Sequence, residues 1–392
     1  MVVIKKASAK SILDSRNEKT ISVSIYTNVG KFSANSPTGK STGKHEARAY
    51  KKNLEGDIET IKKFSEYFSE EIIDDFSDLR RIEDIVEGHL GANSFFALES
   101  AILKALAKEK RKQVWQLINP EISNSKKNVK LPRLVGNCIG GGVHSKNEKK
   151  PDFQEFLLIP KTNSPKESFK LIKKAKKDIV YFLKDNDENF RSKTNDEDAW
   201  ETSLNEKDIL DGMSGLNLPL GLDIAASEFC KRKRYQYQNP VLGRTKDEQL
   251  FYVSSLIKNF NLFYVEDPFN EDDFESFSNL LKKFPDTLIV GDDLTTTNYK
   301  RLEKAIEQKS INAIIVKPNQ NGSLMRVKEV CELAKKNGIK IVFSHRSGET
   351  EENILADLAV GFQADFLKCG ITGKGREVKI KRLIEIERKV GK

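Results

Sequence analysis

Leu262-Phe263-Tyr264-Val265-Glu266, Leu288-Ile289-Val290-Gly291-Asp292 and Ile314-Ile315-Val316-Lys317 are three short apolar runs that each end in a charged side chain. The form recurs on both sides, in Leu220-Gly221-Leu222-Asp223 before them and in Ile341-Val342-Phe343-Ser344-His345 and Phe366-Leu367-Lys368 after them. From Asp223 to Lys368 the polar ends stand 43, 26, 25, 28 and 23 residues apart. Apart from the first, each step has room for one strand, one helix and two loops, the repeating unit of a parallel α/β barrel. Residues 130–392 are close to the ~250 residues typical of an eightfold barrel of this kind. Such barrels carry their chemistry at the carboxyl ends of the strands, so the six polar ends are expected to converge on one mouth. A single Asp at a strand end often does no more than cap the next helix. Six in rhythm, with complementary signs, point to a site.

Residues 1–125 follow another pattern. Ile21, Val23 and Ile25 alternate with polar neighbours, Asn28-Val29-Gly30 reads as a turn, and the chain extends again around Phe32, which predicts a hairpin of an antiparallel sheet. Ile58, Ile61, Phe64 and Phe68 then fall at helical spacing, and Ala97–Ala107 is rich in strong helix formers. The stretch Ser123-Asn124-Ser125-Lys126-Lys127-Asn128 has the composition of a linker. The expected organisation is an N-terminal α+β domain over residues 1–125 and an α/β barrel over residues 130–392.

The chain has 392 residues, with 67 Lys and Arg against 58 Asp and Glu. The densest basic run, Lys231-Arg232-Lys233-Arg234, reads as the solvated tip of a hairpin, so no nucleic-acid partner is expected. Elsewhere basic and acidic residues alternate, as in Lys104–Lys112 and Arg376–Lys389, the habit of exposed helix faces. No apolar run approaches the ~18 residues needed to cross a bilayer, and Met1–Lys6 is too short and too soon charged for a signal peptide. Cys138, Cys230, Cys331 and Cys369 lack paired spacing, which argues against a disulfide framework or a zinc knuckle and suits a reducing cytoplasm.

Asp223, Glu266 and Asp292 bring three carboxylates to one rim, where mutual repulsion would force at least one to stay protonated. A hard divalent cation relieves that repulsion, and an all-oxygen donor set favours magnesium over zinc. Lys317 and Lys368 end later strands of the same mouth, and a lysine beside a metal and another cation is expected to have a lowered pKa, as a general base needs. Ion pairing with the acids is the plainer role for both lysines. Arg346-Ser347 offers a guanidinium and a hydroxyl suited to a phosphate. Together these groups suggest proton abstraction beside the carboxylate of a phosphorylated acid. Ala34-Asn35-Ser36-Pro37-Thr38-Gly39-Lys40-Ser41 approximates a phosphate-binding P-loop, but Pro37 removes a donor amide and the preceding strands look antiparallel.

Several longer motifs resemble those of the enolase family, nearly from end to end. They are Asp14-Ser15-Arg16, Ser41-Thr42-Gly43 with His45-Glu46-Ala47, Leu90-Gly91-Ala92-Asn93, Gln154-Glu155-Phe156, and Leu222-Asp223 with Ala226-Ser227-Glu228-Phe229. Further along stand Glu266-Asp267-Pro268-Phe269, Asp292-Asp293-Leu294-Thr295, Ser344-His345-Arg346-Ser347-Gly348-Glu349-Thr350-Glu351, and Lys368 before Gly370. The resemblance implies a modified eightfold, TIM-type α/β barrel with an N-terminal α+β capping domain. It also implies the reversible dehydration of 2-phosphoglycerate to phosphoenolpyruvate with two magnesium ions per site, by a cytoplasmic homodimer. Carried over by motif, Asp223, Glu266 and Asp292 hold the first magnesium and Lys317 takes the proton from carbon 2. Glu197 protonates the departing hydroxyl with Glu155 assisting, and Lys368 faces the substrate carboxylate. Arg346 and Ser347 meet the phosphate, Gln154, His345 and His144 line the pocket, and Ser41 closes over substrate and second metal.

Some positions depart from the family's pattern. Asn195-Asp196-Glu197-Asp198-Ala199 adds a carboxylate and removes glycines around the acid, and Gly140, Cys369 and Asn17-Glu18-Lys19 also differ. Lys40, beside Ser41, is expected to bring an extra ammonium to the phosphate. Two other readings stay open at this point: a lyase of the same superfamily acting on another carboxylate, and a non-catalytic binding protein on the same scaffold.

Overall fold

The computed structural model describes residues 1–40, 43–123 and 129–391. Ser41, and the linker stretch apart from Ser123, therefore lie outside the described residues.

The first region holds β1 (Val2–Leu13), β2 (Lys19–Thr27), β3 (Gly30–Asn35), α1 (Leu54–Phe64), β4 (Ile72–Ile73), α2 (Leu79–Val86), α3 (Ala92–Lys110), α4 (Val114–Ile118) and α5 (Pro120–Ser123). The expected hairpin is β2 and β3, two strands of an antiparallel sheet ordered β3-β2-β1-β4. Its partner β1 is not legible in the sequence, because a register shift between Ile4 and Lys6 breaks the alternation and few of its side chains are buried. Phe68 is buried as its spacing suggested, but from the turn after α1, which ends at Phe64. Helices α1 and α3 cover the sheet.

The second region begins with β5 (Arg133–Gly140), β6 (Glu155–Leu158), α6 (Pro165–Asn186), β7 (Trp200–Glu201), α7 (Glu206–Ser214) and β8 (Leu220–Asp223). Next come β9 (Cys230–Lys231), β10 (Arg234–Gln238), β11 (Val241–Arg244), α8 (Lys246–Phe260), β12 (Tyr264–Glu266), α9 (Phe274–Lys283), β13 (Leu288–Gly291) and α10 (Tyr299–Glu307). It ends with β14 (Ala313–Val316), α11 (Leu324–Lys336), β15 (Lys340–Ser344), α12 (Ile354–Gly361), β16 (Phe366–Gly370) and α13 (Lys374–Val390).

Eight of these strands close a barrel in the order β5-β6-β8-β12-β13-β14-β15-β16, with β16 pairing back onto β5. Seven run parallel, and β6 runs against both neighbours. The 43-residue step is explained by the small antiparallel sheet β9-β10-β11 inserted before α8. Arg232 and Lys233, both at positive φ, form its two-residue turn, and the basic run is exposed there as expected.

The barrel interior is plugged by Val135, Leu157, Ile159, Tyr264, Val290, Ala313, Ile315, Val342 and Phe366. Side chains two residues apart on a strand share a face. Glu266 lies two beyond Tyr264, Asp292 two beyond Val290, Lys317 two beyond Ile315 and Lys368 two beyond Phe366, so these four form the next layer up. On β15 that position belongs to Ser344. His345, expected as the strand's polar end, is the first loop residue instead.

The first region is anchored to this barrel at the start of α11. Glu83 of α2 accepts from the Ser323 hydroxyl, and Glu99 of α3 accepts from the Leu324 amide at 2.6 Å, so acids meet the positive end of that helix. Gly322 just before it has φ +83°, and a Cβ there would stand 2.7 Å from the Cα of Ala92. Gly322→Ala is therefore expected to lower the unfolding free energy by about 2–3 kcal/mol, read as a fall in the denaturant midpoint.

Candidate active site

Sheet pairing places three acids side by side at the rim. Glu155 is the register partner of Asp223, and Asp223 that of Glu266. Like charges opposite one another repel. Lys368, from across the closure, answers that repulsion: its Nζ lies 2.8 Å from Asp223 Oδ2, 2.8 Å from Glu266 Oε1 and 3.4 Å from Glu155 Oε2. Tyr264, in the layer beneath, donates to Glu266 Oε2 at 2.6 Å. Burial first, then Asp223, pushes the Glu266 carboxyl up to about 8 against the pull of Lys368. Burial raises Glu155 well above the carboxylate range too, and its Oε2 has no hydrogen-bond partner.

Asp292 binds the second lysine. Lys317 Nζ donates to its Oδ2, and Gln320 Nε2 donates to its Oδ1 at 3.2 Å. The loop is set by Asp267, whose carboxylate accepts the amides of Asp292 at 3.0 Å and Asp293 at 2.6 Å. The expected lowering of the Lys317 pKa is not found. Burial works against its charge, but contact with Asp292 outweighs burial and holds the ammonium above the ordinary lysine value. The same balance, struck with Asp223, raises Lys368.

Glu197 sits in a third network. It accepts from Asn137 Nδ2 at 2.9 Å, and the imidazoles of His144 and His345 each approach to 3.9 Å. Burial opposes its charge, yet His144, His345, Arg376 and Lys368 together hold it below the usual carboxylate range. His345 is pushed far down by burial and is neutral. Burial lowers His144 as well, but Glu197 and Asp196 raise it by more. Atoms of Glu155, Glu197 and His345 lie within 4.8 Å of one another. Of these two adjacent carboxyls, burial raises Glu155, whereas the surrounding cations outweigh burial and lower Glu197.

Arg346 is buried and donates to Glu46 at 3.0 and 3.2 Å and to Asn319 Oδ1 at 3.2 Å. Ser347 Oγ accepts from the Lys40 amide at 2.8 Å and Arg16 Nη1 at 3.2 Å. The loop that carries Lys40 is held over the barrel by paired backbone bonds between Thr38 and Gly348. The Lys40 ammonium does not point to the phosphate clamp as expected. It lies 2.9 Å from Asp196 Oδ2, the carboxylate whose other oxygen meets His144 Nδ1 at 2.9 Å.

One small cavity is lined by His144, Gln154, Glu155, Glu197, Asp223, Lys317, His345, Arg346, Ser347 and Lys368, with Gly39 and Ser344. Glu266 and Asp292 bound it from behind through Lys368 and Lys317. Every expected site residue within the described residues is thus brought together, and Ser41 lies outside them. The residues fit a hard cation: the donors are buried carboxylates, and Gln154 Oε1 and Glu155 Oε2 at the same rim are buried without hydrogen-bond partners. Asp223, Glu266 and Asp292 are not drawn around one point, because the lysines sit among them.

Comparison with known families matches residues 4–118 to the enolase N-terminal domain and residues 128–392 to the enolase C-terminal TIM barrel domain. The chain belongs to the enolase family. It is 35% identical to an enolase of Sulfurisphaera tokodaii, across 99% of this chain and 96% of that protein. It is 33% identical to enolases of Methanosphaera stadtmanae and Pyrobaculum aerophilum, across 98% and 96% of this chain and 97% and 92% of theirs. Sequence reasoning passes over Asn137, Gln320 and the roles of Glu46 and Asp267. Asp267 and Glu46 stand inside quoted motifs, and Gln320 lies three residues after Lys317, a signal that needs the loop geometry to be read.

Glu266 generates a stability prediction. Its folded pKa of about 8 exceeds the ordinary 4.5, so its contribution is present below the unfolded value and lost as pH rises through the folded one. In chelator, the denaturant midpoint is expected to fall between pH 6 and pH 8. Excess magnesium should flatten that slope, since a cation replaces the proton. An identical slope with and without magnesium counts against this.

Proposed function

We propose that this chain, as an enolase, dehydrates 2-phosphoglycerate reversibly to phosphoenolpyruvate, with Lys317 as the base at carbon 2 and Glu197 as the acid at the 3-hydroxyl. One observation carries the assignment: Lys317 and Glu197 line the same cavity but belong to separate networks, Asp292 and Gln320 for one, Asn137 and His144 for the other. Two proton transfers at two different substrate atoms call for such separation. The carbon–hydrogen electron pair becomes the new double bond, the carbon 3–oxygen bond breaks, and the hydroxyl leaves as water.

Lys317 must be neutral to accept a proton, and Arg346 and Lys368 push in that direction against Asp292. Glu197 must be protonated to donate, and Glu155, raised by burial and with atoms within 4.8 Å of it, is assigned to assist. Lys368 is assigned to the substrate carboxylate, Arg346 and Ser347 to the phosphate. Gln154, His144 and His345 complete the walls. Two magnesium ions, the first of which Asp223, Glu266 and Asp292 would hold, would supply the positive charge that acidifies a proton beside a carboxylate; Ser41, the family's position for the second, lies outside the described residues. A lysine or histidine base working with magnesium is the known pairing of enolase-superfamily sites, so that combination belongs to the family and is not new to this chain. A cytoplasmic homodimer belongs to this reading through the family likeness. No described helix is long and apolar enough to cross a membrane.

Lys317→Ala is expected to abolish exchange of the carbon 2 proton with deuterated solvent, followed by nuclear magnetic resonance. Glu197→Gln is expected to keep that exchange and to lose phosphoenolpyruvate formation, followed by ultraviolet absorbance. Equal loss of both rates in Glu197→Gln, or exchange surviving in Lys317→Ala, overturns the assignment.

A further inference from the structure

Arg376 opens the alternating run that its charge pattern assigns to an exposed helix face, yet it is only 1% exposed. Its Nη2 donates to two carbonyl oxygens, those of Asp196 and Ser347, both at 2.8 Å, and its Nη1 lies 3.5 Å from Asp198 Oδ2. Asp196 and Asp198 flank Glu197, and Ser347 is half of the phosphate clamp. One planar group therefore ties the loop of the acid to the loop of the clamp. Lys40 and Lys176 also touch the acid loop, at Asp196 Oδ2 and at the Asp198 carbonyl, but neither ammonium bonds the loop of Ser347, that of Lys176 going on to Thr372 Oγ1. Room for Arg376 is built into β16: a Cβ on Gly370 would stand 2.3 Å from Arg376 Cδ and 2.8 Å from the Glu197 carbonyl.

We propose that Arg376 is a positioning residue for the elimination step, fixing the Glu197 carboxyl relative to the phosphate clamp so that a substrate gripped by its phosphate presents its 3-hydroxyl to the acid. This rests on the functional reading above. Arg376 touches no reacting atom and acts through the two loops it joins. The guanidinium suits this task because its Nη2 donates to both carbonyls from one rigid plane while Nη1 stays beside Asp198, a geometry that a flexible ammonium does not fix in the same way. The base is outside this linkage, since Lys317 is held by Asp292 and Gln320.

The test compares two rates on the magnesium-loaded protein: solvent exchange of the carbon 2 proton of 2-phosphoglycerate, and phosphoenolpyruvate formation. In Arg376→Lys, exchange should stay within about threefold of the parent while product formation falls about 100-fold, the scale of a 1 Å misplacement. Inhibition by inorganic phosphate should change little, because Arg346 is intact. Gly370→Ala, which crowds the guanidinium without removing its charge, should give the same split. Asp198→Asn, which spares both carbonyl bonds at a partly exposed site, should behave as the parent. Equal loss of both rates, no loss in Arg376→Lys, or a full split in Asp198→Asn overturns the inference. A parent that makes no phosphoenolpyruvate overturns the functional reading itself, whereas a working parent with an unsplit Arg376→Lys overturns this inference alone.

Discussion

Five buried carboxylates, Glu155, Glu197, Asp223, Glu266 and Asp292, crowd one rim of the barrel, and the lysines paired with them among the described residues are Lys317 and Lys368. Taking a charge out of water is costly unless it is paired, so this excess governs the rest of the site. Lys368 is placed between strands β6, β8 and β12, where the repulsion is greatest. Tyr264 commits its hydroxyl to Glu266, and Asp267 uses its whole carboxylate to hold the next acid in place. What the lysines leave uncompensated shows in the acidity of Glu155 and Glu266, both of which burial first, then neighbouring carboxylates, pushes up against the pull of Lys368.

That residual imbalance is also the source of the chemistry. Buried carboxylates that burial has made more basic offer the hard oxygen donors that a divalent cation takes in place of a proton. A phosphorylated acid brings negative charge to the same cavity, where Arg346, Lys317 and Lys368 stand with His144, whose charged form Glu197 and Asp196 favour against its burial. His345 stays neutral among these cations because its burial is complete and Arg376, Lys368 and Lys379 oppose its charging. The acids and lysines thus interleave at the rim, and Glu197 and Lys317, the proposed proton donor and acceptor, belong to separate networks.

Much of this is legible because a strand has period two. Six polar ends in rhythm point to the barrel, and their signs to the shelf of acids and the two lysines. Three details do not follow from that strand rule, for physical reasons. Glu155 begins its strand, so a rule about carboxyl ends misses it, and it reaches the rim because β6 runs backwards. His345 follows the inward-facing Ser344 and enters the site from the loop. Arg376 carries the charge pattern of a surface helix, and its burial follows from contacts with residues 196 and 347, far away in sequence. The raised Lys317 escapes a sequence reading because nothing in the sequence shows that Asp292, rather than another cation, is its nearest neighbour.

The acid loop is the other departure that the structure explains. Without glycines around it, residues 195–199 are held by contact: Asn195 caps the turn through the amides of Glu197 and Ala199, Asp198 takes the positive φ, and Lys40, Lys176 and Arg376 grip the loop from three elements. Charge, again, replaces what the chain lacks in backbone freedom. The central claim, that a protonated acid shelf is built to exchange its proton for a divalent cation, is tested most directly by calorimetric titration of the protein with magnesium near pH 7 in two buffers of different ionisation enthalpy. Magnesium binding accompanied by release of about one proton per site is the expected result. Binding with no proton released, or no magnesium binding at all, would contradict it.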